Sequence, residues 1–154
     1  IAACRRAAAR GADAVLVRAP SFFKSQMTAE ALETHYRAVA DASPAPVLLY
    51  NVPGMAGFSL TVGTVRALAD HRNVVGIKET SNDLERHAQF AMVRPDRFAV
   101  LSGWAPVAYP AWTMGAKGAI IAVANILPER GAALWDHFTA GRHAEARALQ
   151  QRLL

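Results

Sequence analysis

Five short runs of apolar, often β-branched residues recur along the chain, and their starts are 20 to 33 residues apart. Each run is nearly continuous in its hydrophobicity, which is typical of strands covered on both faces in a parallel sheet. Between the runs, apolar residues follow helical spacing, so the pattern predicts consecutive βα units of an α/β fold. The predicted strands are residues 14–20, 47–53, 74–80, 98–104 and 118–125, and the predicted helices are residues 1–10, 28–41, 61–71, 83–93, 104–114, 128–138 and 142–154.

Composition excludes several other classes of protein. The apolar fraction of 53% is too high, and the charged fraction of 19% too low, for a disordered chain. No apolar run approaches the roughly 20 residues of a membrane-spanning helix, and the N-terminal pattern does not resemble a secretory signal. The net charge of +5 comes from scattered arginines, which argues against a nucleic-acid surface. A single cysteine, Cys4, predicts no internal disulfide and is typical of a cytoplasmic protein.

Two α/β architectures compete for this pattern. A doubly wound sheet needs about five strands, whereas a (β/α)8 barrel needs eight strands and about 250 residues. Three observations favour part of a barrel: the chain starts inside a helical pattern, no glycine-rich phosphate loop follows the first strand, and polar residues collect at the ends of several strands. We therefore predict that residues 1–154 are the C-terminal portion of a TIM barrel. This portion comprises strands 4–8 and C-terminal helices at about 128–154, without strands 1–3.

Lys78 is the residue whose position most clearly indicates a chemical role. It ends a buried run in which period-two alternation puts Val74, Gly76 and Lys78 on one face and Val75 and Ile77 on the other. If the branched pair faces the helices, Lys78 points into the barrel. Burial favours the neutral form of an amine, and a neutral amine can form a Schiff base with a ketone. The alternative is a strand-end lysine paired with a carboxylate.

Tyr50 ends the preceding strand in the same phase, with Leu48 inward and Val47 and Leu49 outward. Adjacent parallel strands would bring its phenol next to Lys78, where it could relay a proton. The alternative is a tyrosine that only packs. Lys24, in a polar loop, and Lys117, in a turn that enters a strand, lack this arrangement. The five histidines are expected on helix surfaces, without the spacing of a metal site, so no metal or other cofactor is predicted.

Four ordered motifs resemble the signatures of the dihydrodipicolinate synthase/N-acetylneuraminate lyase family. They are Tyr50-Asn51-Val52-Pro53-Gly54, Gly76-Ile77-Lys78-Glu79, Leu101-Ser102-Gly103, and the stretch from Gly115 to Ile120 followed by Asn125 and Pro128. Each motif alone is weak, but their order and spacing are specific together. The resemblance implies a (β/α)8 barrel in which Lys78 forms a Schiff base with pyruvate and Tyr50 is the catalytic tyrosine. It also implies that main-chain groups near Ile120 and Ile121 line the pocket, and that the protein is a homo-oligomer, commonly a tetramer.

Two departures from the family pattern bear on the substrate. Met55 stands where the synthase members carry an arginine, and Phe22-Phe23 replaces a common tyrosine pair. The run Ser43-Pro44-Ala45-Pro46 and the overall spacing look closer to the 4-hydroxy-2-oxoglutarate aldolase branch. The sequence therefore favours a metal-independent class I aldolase or lyase acting on pyruvate or another 2-oxo acid.

Three alternatives stay open. The first is a 4-hydroxy-tetrahydrodipicolinate synthase, and the second is a catalytically inactive fragment or a homologue that only binds its ligand. The third is a self-contained doubly wound domain, for which the sequence offers no phosphate site at a helix N-terminus. In the barrel interpretation, residues 1–154 alone are expected to be inactive, because five strands cannot close a barrel.

Overall fold

The computed structural model describes residues 1–153, which form a single five-stranded parallel sheet with helices packed against it. Neighbouring strands of the sheet are also consecutive in the chain, in the order β1-β2-β3-β4-β5. A doubly wound sheet would interrupt this order at a switch point, so the topology is that of a barrel segment. The strands are β1 (Val15–Arg18), β2 (Val47–Asn51), β3 (Val74–Glu79), β4 (Ala99–Ser102) and β5 (Gly118–Ala119).

The helices follow the predicted units closely. Three of them begin with a side-chain cap, in which Thr28, Thr61 or Asp83 accepts a hydrogen bond from a backbone N–H of the first turn. The α-helices are α1 (Ala2–Ala8), α2 (Ala29–Ala42), α3 (Pro53–Ala56), α4 (Val62–Ala69), α5 (Leu84–Ala91), α6 (Ala108–Thr113), α7 (Pro128–Thr139) and α8 (His143–Gln151). The helix predicted over residues 142–154 is thus found as α8, and its last residue, Leu154, lies outside the described residues.

Two predicted elements differ from the structure. The helix expected over residues 104–114 is divided into a 3-10 turn, Ala105–Val107, and the short helix α6. The strand expected over residues 118–125 is only two residues long and is followed by a 3-10 helix, Ala122–Asn125. The physical reason is the length of β4, which ends at Ser102. The carbonyl of Ser102 accepts from Ile120 N at 2.8 Å, and the pairing of β4 with β5 ends at Ser102 and Ala119, so β4 offers no ladder partner to the residues that follow.

The two faces of the sheet have different environments. Val47, Leu49, Ile77 and Val100 are at most 1% exposed and belong to the core that the helices cover. The residues that alternate with these along each strand lie on the opposite face of the sheet. Here one expectation was wrong: Val74 does not share the inner face with Gly76 and Lys78. Val74 is 1% exposed and pairs with the buried Val47. The register of β2 and β3 shifts directly after this pair, so the predicted alternation holds only from Gly76 onwards.

The histidines also depart from the prediction in one case. His87, on α5, is fully buried rather than on the surface, and its Nδ1 lies 2.9 Å from the carbonyl oxygen of Asp83. Within residues 1–153, no group of three or more His, Cys, Asp or Glu side chains has the geometry to hold a metal ion. No helix in the same range is both long enough and apolar enough to cross a membrane.

Candidate active site

Tyr50 and Lys78 lie side by side at the C-terminal ends of β2 and β3. The register of the two strands pairs them directly. Lys78 Nζ is 3.4 Å from the Tyr50 hydroxyl and 4.4 Å from the centroid of the phenol ring. Both side chains are half-buried on the inner face of the sheet. The structure therefore brings together the two residues that the alternation of the strands predicted to be neighbours, at a distance that allows proton transfer.

Lys78 has no acidic partner among residues 1–153. The ion pairs in this range are His71–Asp41, Arg86–Asp83 and Arg94–Asp70. The structure thus does not support the alternative in which Lys78 is a strand-end lysine held by a carboxylate. Its amine instead faces the hydroxyl and the ring of Tyr50.

Two glycines, one in β3 and one after β4, allow neighbouring segments to pack closely, and only the second of them borders the lysine side chain. At Gly76, an added Cβ would overlap the carbonyl oxygen of Ala99 and lie 2.9 Å from Leu48 Cδ2. At Gly103, an added Cβ would overlap Thr80 Oγ1 and would lie 2.8 Å from Lys78 Cε. Gly103 therefore lies directly against the stem of the lysine. The sequence indicates Gly103 only as part of a motif, because its closeness to Lys78 depends on the packing of β4 beside β3.

A buried polar network lies on the other face of the same strand ends. Glu79 is fully buried, and its Oε2 accepts a hydrogen bond from Asn51 Nδ2 at 2.5 Å. Asn51 Oδ1 accepts in turn from the backbone N–H of Leu60 at 2.9 Å. These residues alternate with Tyr50 and Lys78, so the network joins the ends of β2 and β3 directly behind those two side chains. The sequence pattern alone predicted no role for this network, although a carboxylate at the end of a buried run was a signal for it.

Removing the amide of this network is expected to destabilise the fold. Asn51→Ala would leave the buried Glu79 carboxylate without its donor and lower the free energy of unfolding by about 2 to 4 kcal/mol. Urea-induced unfolding of the full-length gene product measures this loss. The control is Asn125→Ala, since Asn125 is exposed and donates only to Ala122 O at 3.2 Å. Its expected cost is about 0.5 kcal/mol or less, and equal losses in the two variants would contradict the role of the network.

The other predicted site residues lie elsewhere. Ile120 and Ile121 follow β5 and line a cavity of about 600 Å³ between β5 and α7, together with Trp112 and Trp135. Neither Tyr50 nor Lys78 lines this cavity. Ile120 is 40% exposed and Ile121 is 9% exposed. The structure thus brings Tyr50 and Lys78 together and leaves the isoleucine pair two strands away.

The other two lysines have different surroundings from Lys78. Lys24 is exposed in a 3-10 turn after β1, and its ammonium would lie 2.8 Å from a Cβ added at Gly57. Lys117 is exposed in the turn before β5, where its backbone N–H donates to Val100 O at 2.7 Å. Neither side chain shares the row of Tyr50 and Lys78, so these lysines remain suitable internal controls for chemistry at Lys78.

Comparison with known proteins finds relatives over almost the whole chain. The sequence profile of the dihydrodipicolinate synthetase family matches residues 1–154. The chain is 43% identical over 144 residues to the 4-hydroxy-tetrahydrodipicolinate synthase of Geotalea uraniireducens, covering 94% of this chain and 49% of that protein. Other curated relatives of similar identity have the same name.

Two solved structures show the same fold. The 4-hydroxy-tetrahydrodipicolinate synthase of Methylacidiphilum fumariolicum SolV superposes with a TM-score of 0.92 at 33% identity, over 97% of this chain and 50% of that one. YagE from E. coli K12, solved in complex with pyruvate, superposes with a TM-score of 0.91 at 30% identity, over 97% and 51%. The chain spans about half the length of the curated relatives it matches. The prediction of a C-terminal portion of a (β/α)8 barrel is confirmed.

Proposed function

The chain belongs to the dihydrodipicolinate synthetase family, and from this premise we propose that Lys78 is the amine that forms a Schiff base with pyruvate. One observation carries the proposal, namely the unpaired amine of Lys78 at 3.4 Å from the hydroxyl of Tyr50 on the neighbouring strand. The family relative solved with pyruvate supports the choice of this 2-oxo acid. Main-chain groups near Ile120 and Ile121 are proposed to line the far side of the pocket in the closed barrel.

The proposed chemistry needs no metal. The neutral amine of Lys78 attacks the keto carbon of pyruvate, a C–N bond forms, and the keto oxygen leaves as water to give an iminium. The iminium then accepts the electron pair released when a proton leaves the adjacent carbon, and the resulting enamine attacks the carbon of an aldehyde. Hydrolysis of the C–N bond returns the free lysine. Tyr50 is proposed to move the protons that the loss of water and the later hydrolysis require.

The aldehyde partner distinguishes two candidate activities. The curated relatives favour 4-hydroxy-tetrahydrodipicolinate synthase, and we propose this activity first. The branch suggested by the sequence alone, a 4-hydroxy-2-oxoglutarate aldolase, has no support among these relatives. It is kept as the second candidate on one observation: apolar side chains that are 89%, 61% and 66% exposed stand at Phe22 and Phe23, in the loop after β1, and at Met55, in α3 after β2. In the synthase pattern those positions carry tyrosines and an arginine.

We further propose that the complete site requires more of the barrel than these five strands. An open sheet leaves the inner face of β1 uncovered, and Leu16 there is 39% exposed. A closed ring of strands would exclude water from the iminium and hold its substituents. Residues 1–154 alone are therefore expected to be inactive. An assembly of several copies, commonly a tetramer in the family, is proposed on resemblance alone.

Reductive trapping tests the Schiff base. The full-length gene product is incubated with pyruvate and borohydride, digested, and analysed by mass spectrometry for the lysine that carries the reduced adduct. We expect the adduct on Lys78, with Lys24 and Lys117 as unmodified internal controls in the same sample. An adduct on either control lysine, or no adduct on Lys78, would overturn the proposal.

A further inference from the structure

A second cationic side chain stands in the row that holds Tyr50 and Lys78. The register of β1 and β2 pairs Arg18 with Tyr50, and the register of β2 and β3 pairs Tyr50 with Lys78. Residues paired across parallel strands project to the same face of the sheet. Arg18, Tyr50 and Lys78 therefore form one row across three consecutive strands, at the edge of the sheet where the strands end.

The burial of β1 supports this orientation. Val15 is 8% exposed and Leu16 is 39% exposed, so the alternation puts Leu16 and Arg18 on the inner face. The strand is tied to the helical layer just before Arg18, because the Tyr36 hydroxyl donates to Val17 O at 3.2 Å. Tyr36 is fully buried, and this burial raises the pKa of its phenol, which stays protonated and keeps donating. This bond holds the backbone of β1 next to Arg18, and the alternation of the strand assigns Arg18 to the inner face.

Arg18 has neither an ion pair nor a side-chain hydrogen bond with another residue of the described part of the chain. The inner-face positions of β1 to β3 hold no carboxylate. They are Leu16, Arg18, Leu48, Tyr50, Gly76 and Lys78. A guanidinium is always charged and binds carboxylates in a bidentate manner. An inward arginine without an acidic neighbour therefore makes this end of the row a binding position for an anion.

The distance along the row decides which anionic group this is. Neighbouring strands lie about 4.8 Å apart, so the Cα atoms of Arg18 and Lys78 are separated by about 10 Å, with the Tyr50 ring between them. In a 2-oxo acid, one carboxylate is attached directly to the keto carbon. This carboxylate stays beside Lys78, because the keto carbon becomes bonded to Lys78 Nζ. A group that reaches Arg18 must extend past the phenol, at the other end of the reacting molecule.

We propose that Arg18 binds a carboxylate at the end of the substrate remote from the imine carbon, and thereby selects anionic over neutral reaction partners. This inference rests on the proposed function, since it assumes that the imine forms at Lys78. Both candidate activities fit this inference. Cleavage of 4-hydroxy-2-oxoglutarate releases pyruvate and glyoxylate, and glyoxylate is an aldehyde that carries a carboxylate. The ring product of the synthase likewise keeps a carboxylate that comes from the aldehyde partner. Arg18 would supply the charge that Met55 does not.

The test uses imine trapping with 2-oxo acids that differ at one end only. 2-Oxoglutarate and 2-oxopentanoate have the same chain length but end in a carboxylate and a methyl group respectively, and pyruvate has no remote group. Borohydride trapping on Lys78 in the full-length gene product gives the concentration for half-maximal labelling with each acid. Arg18→Met is expected to raise this concentration about 10- to 100-fold for 2-oxoglutarate and to leave pyruvate and 2-oxopentanoate within about 2-fold.

Two further variants keep the result interpretable. Arg18→Lys retains the charge without the bidentate fork and should restore part of the affinity for 2-oxoglutarate. Arg147→Met removes an exposed arginine of α8 and should change nothing. Unchanged labelling by 2-oxoglutarate in Arg18→Met would overturn the inference, as would an equal loss for pyruvate, which would assign Arg18 to the carboxylate beside the keto group. Failure of pyruvate to label Lys78 in the unmodified protein would instead refute the proposed function itself.

Discussion

Replacing Lys78 with arginine is expected to lower the rate of carbon–carbon bond formation or cleavage by about 10⁴-fold or more. A guanidinium keeps the positive charge and much of the length of the lysine side chain, but it stays protonated and cannot attack a ketone. The loss should appear in kcat, and labelling by pyruvate and borohydride should disappear with it. The measurement is turnover of the full-length gene product with pyruvate and an aldehyde, together with mass spectrometry of the trapped peptide.

The same substitution at Lys117 provides a matched control. Lys117 is exposed at the opposite end of the sheet, before β5, and no hydrogen bond of its side chain is present in the described part of the chain. Lys117→Arg should therefore keep full activity and full labelling of Lys78. Substantial turnover in Lys78→Arg would be incompatible with the Schiff-base mechanism, whatever the aldehyde.

Tyr50→Phe is expected to lower kcat by about 10²- to 10⁴-fold, which is the usual contribution of a positioned proton donor and acceptor. The hydroxyl lies 3.4 Å from Lys78 Nζ, and the loss of this oxygen removes the nearest group that could carry a proton to and from the reacting atoms. The ring itself is kept, so the amine still has its aromatic neighbour. Labelling of Lys78 by pyruvate should persist at a lower rate, because the lysine remains available for attack.

Tyr109→Phe is the control for the loss of a phenol hydroxyl. Tyr109 packs in an aromatic cluster with Phe138 and His143, on α7 and α8, away from the reactive row. We expect this variant to retain activity within about 2-fold of the unmodified protein. A Tyr50→Phe protein with unimpaired turnover would remove Tyr50 from the mechanism, while Lys78 would keep its role as the nucleophile.

Local patterns of the chain were sufficient to predict most of the fold. The apolar runs and the helical spacing between them led to five βα units, and four of the five strands were found with both ends within two residues of the predicted ones. The last strand was the exception. Hydrophobicity alone cannot distinguish a strand from a short helix, and the length of β5 is decided by the hydrogen-bond partners that β4 offers, which end at Ser102.

The closeness of Tyr50 and Lys78 was also predictable, because period-two alternation and the order of the strands bring the two residues side by side. The alternation failed at Val74, where a register shift between Val47 and Leu48 moves this residue to the helical face. Such a shift depends on how two strands pair, and neither strand alone contains a signal for it. The predicted position of Lys78 on the inner face was correct because the shift lies before Gly76.

Backbone propensity and the spacing of apolar residues are local properties, and therefore the sequence by itself determined the βα repeat, the parallel sheet and the side of the strands on which Lys78 and Tyr50 lie. Contacts between residues distant in the chain were decided only by the tertiary structure. These are the bond from Asn51 to the buried Glu79, the approach of Gly103 to the lysine stem and the alignment of Arg18 with the reactive pair. Each depends on strand register and packing distance, which arise only when separate segments pair.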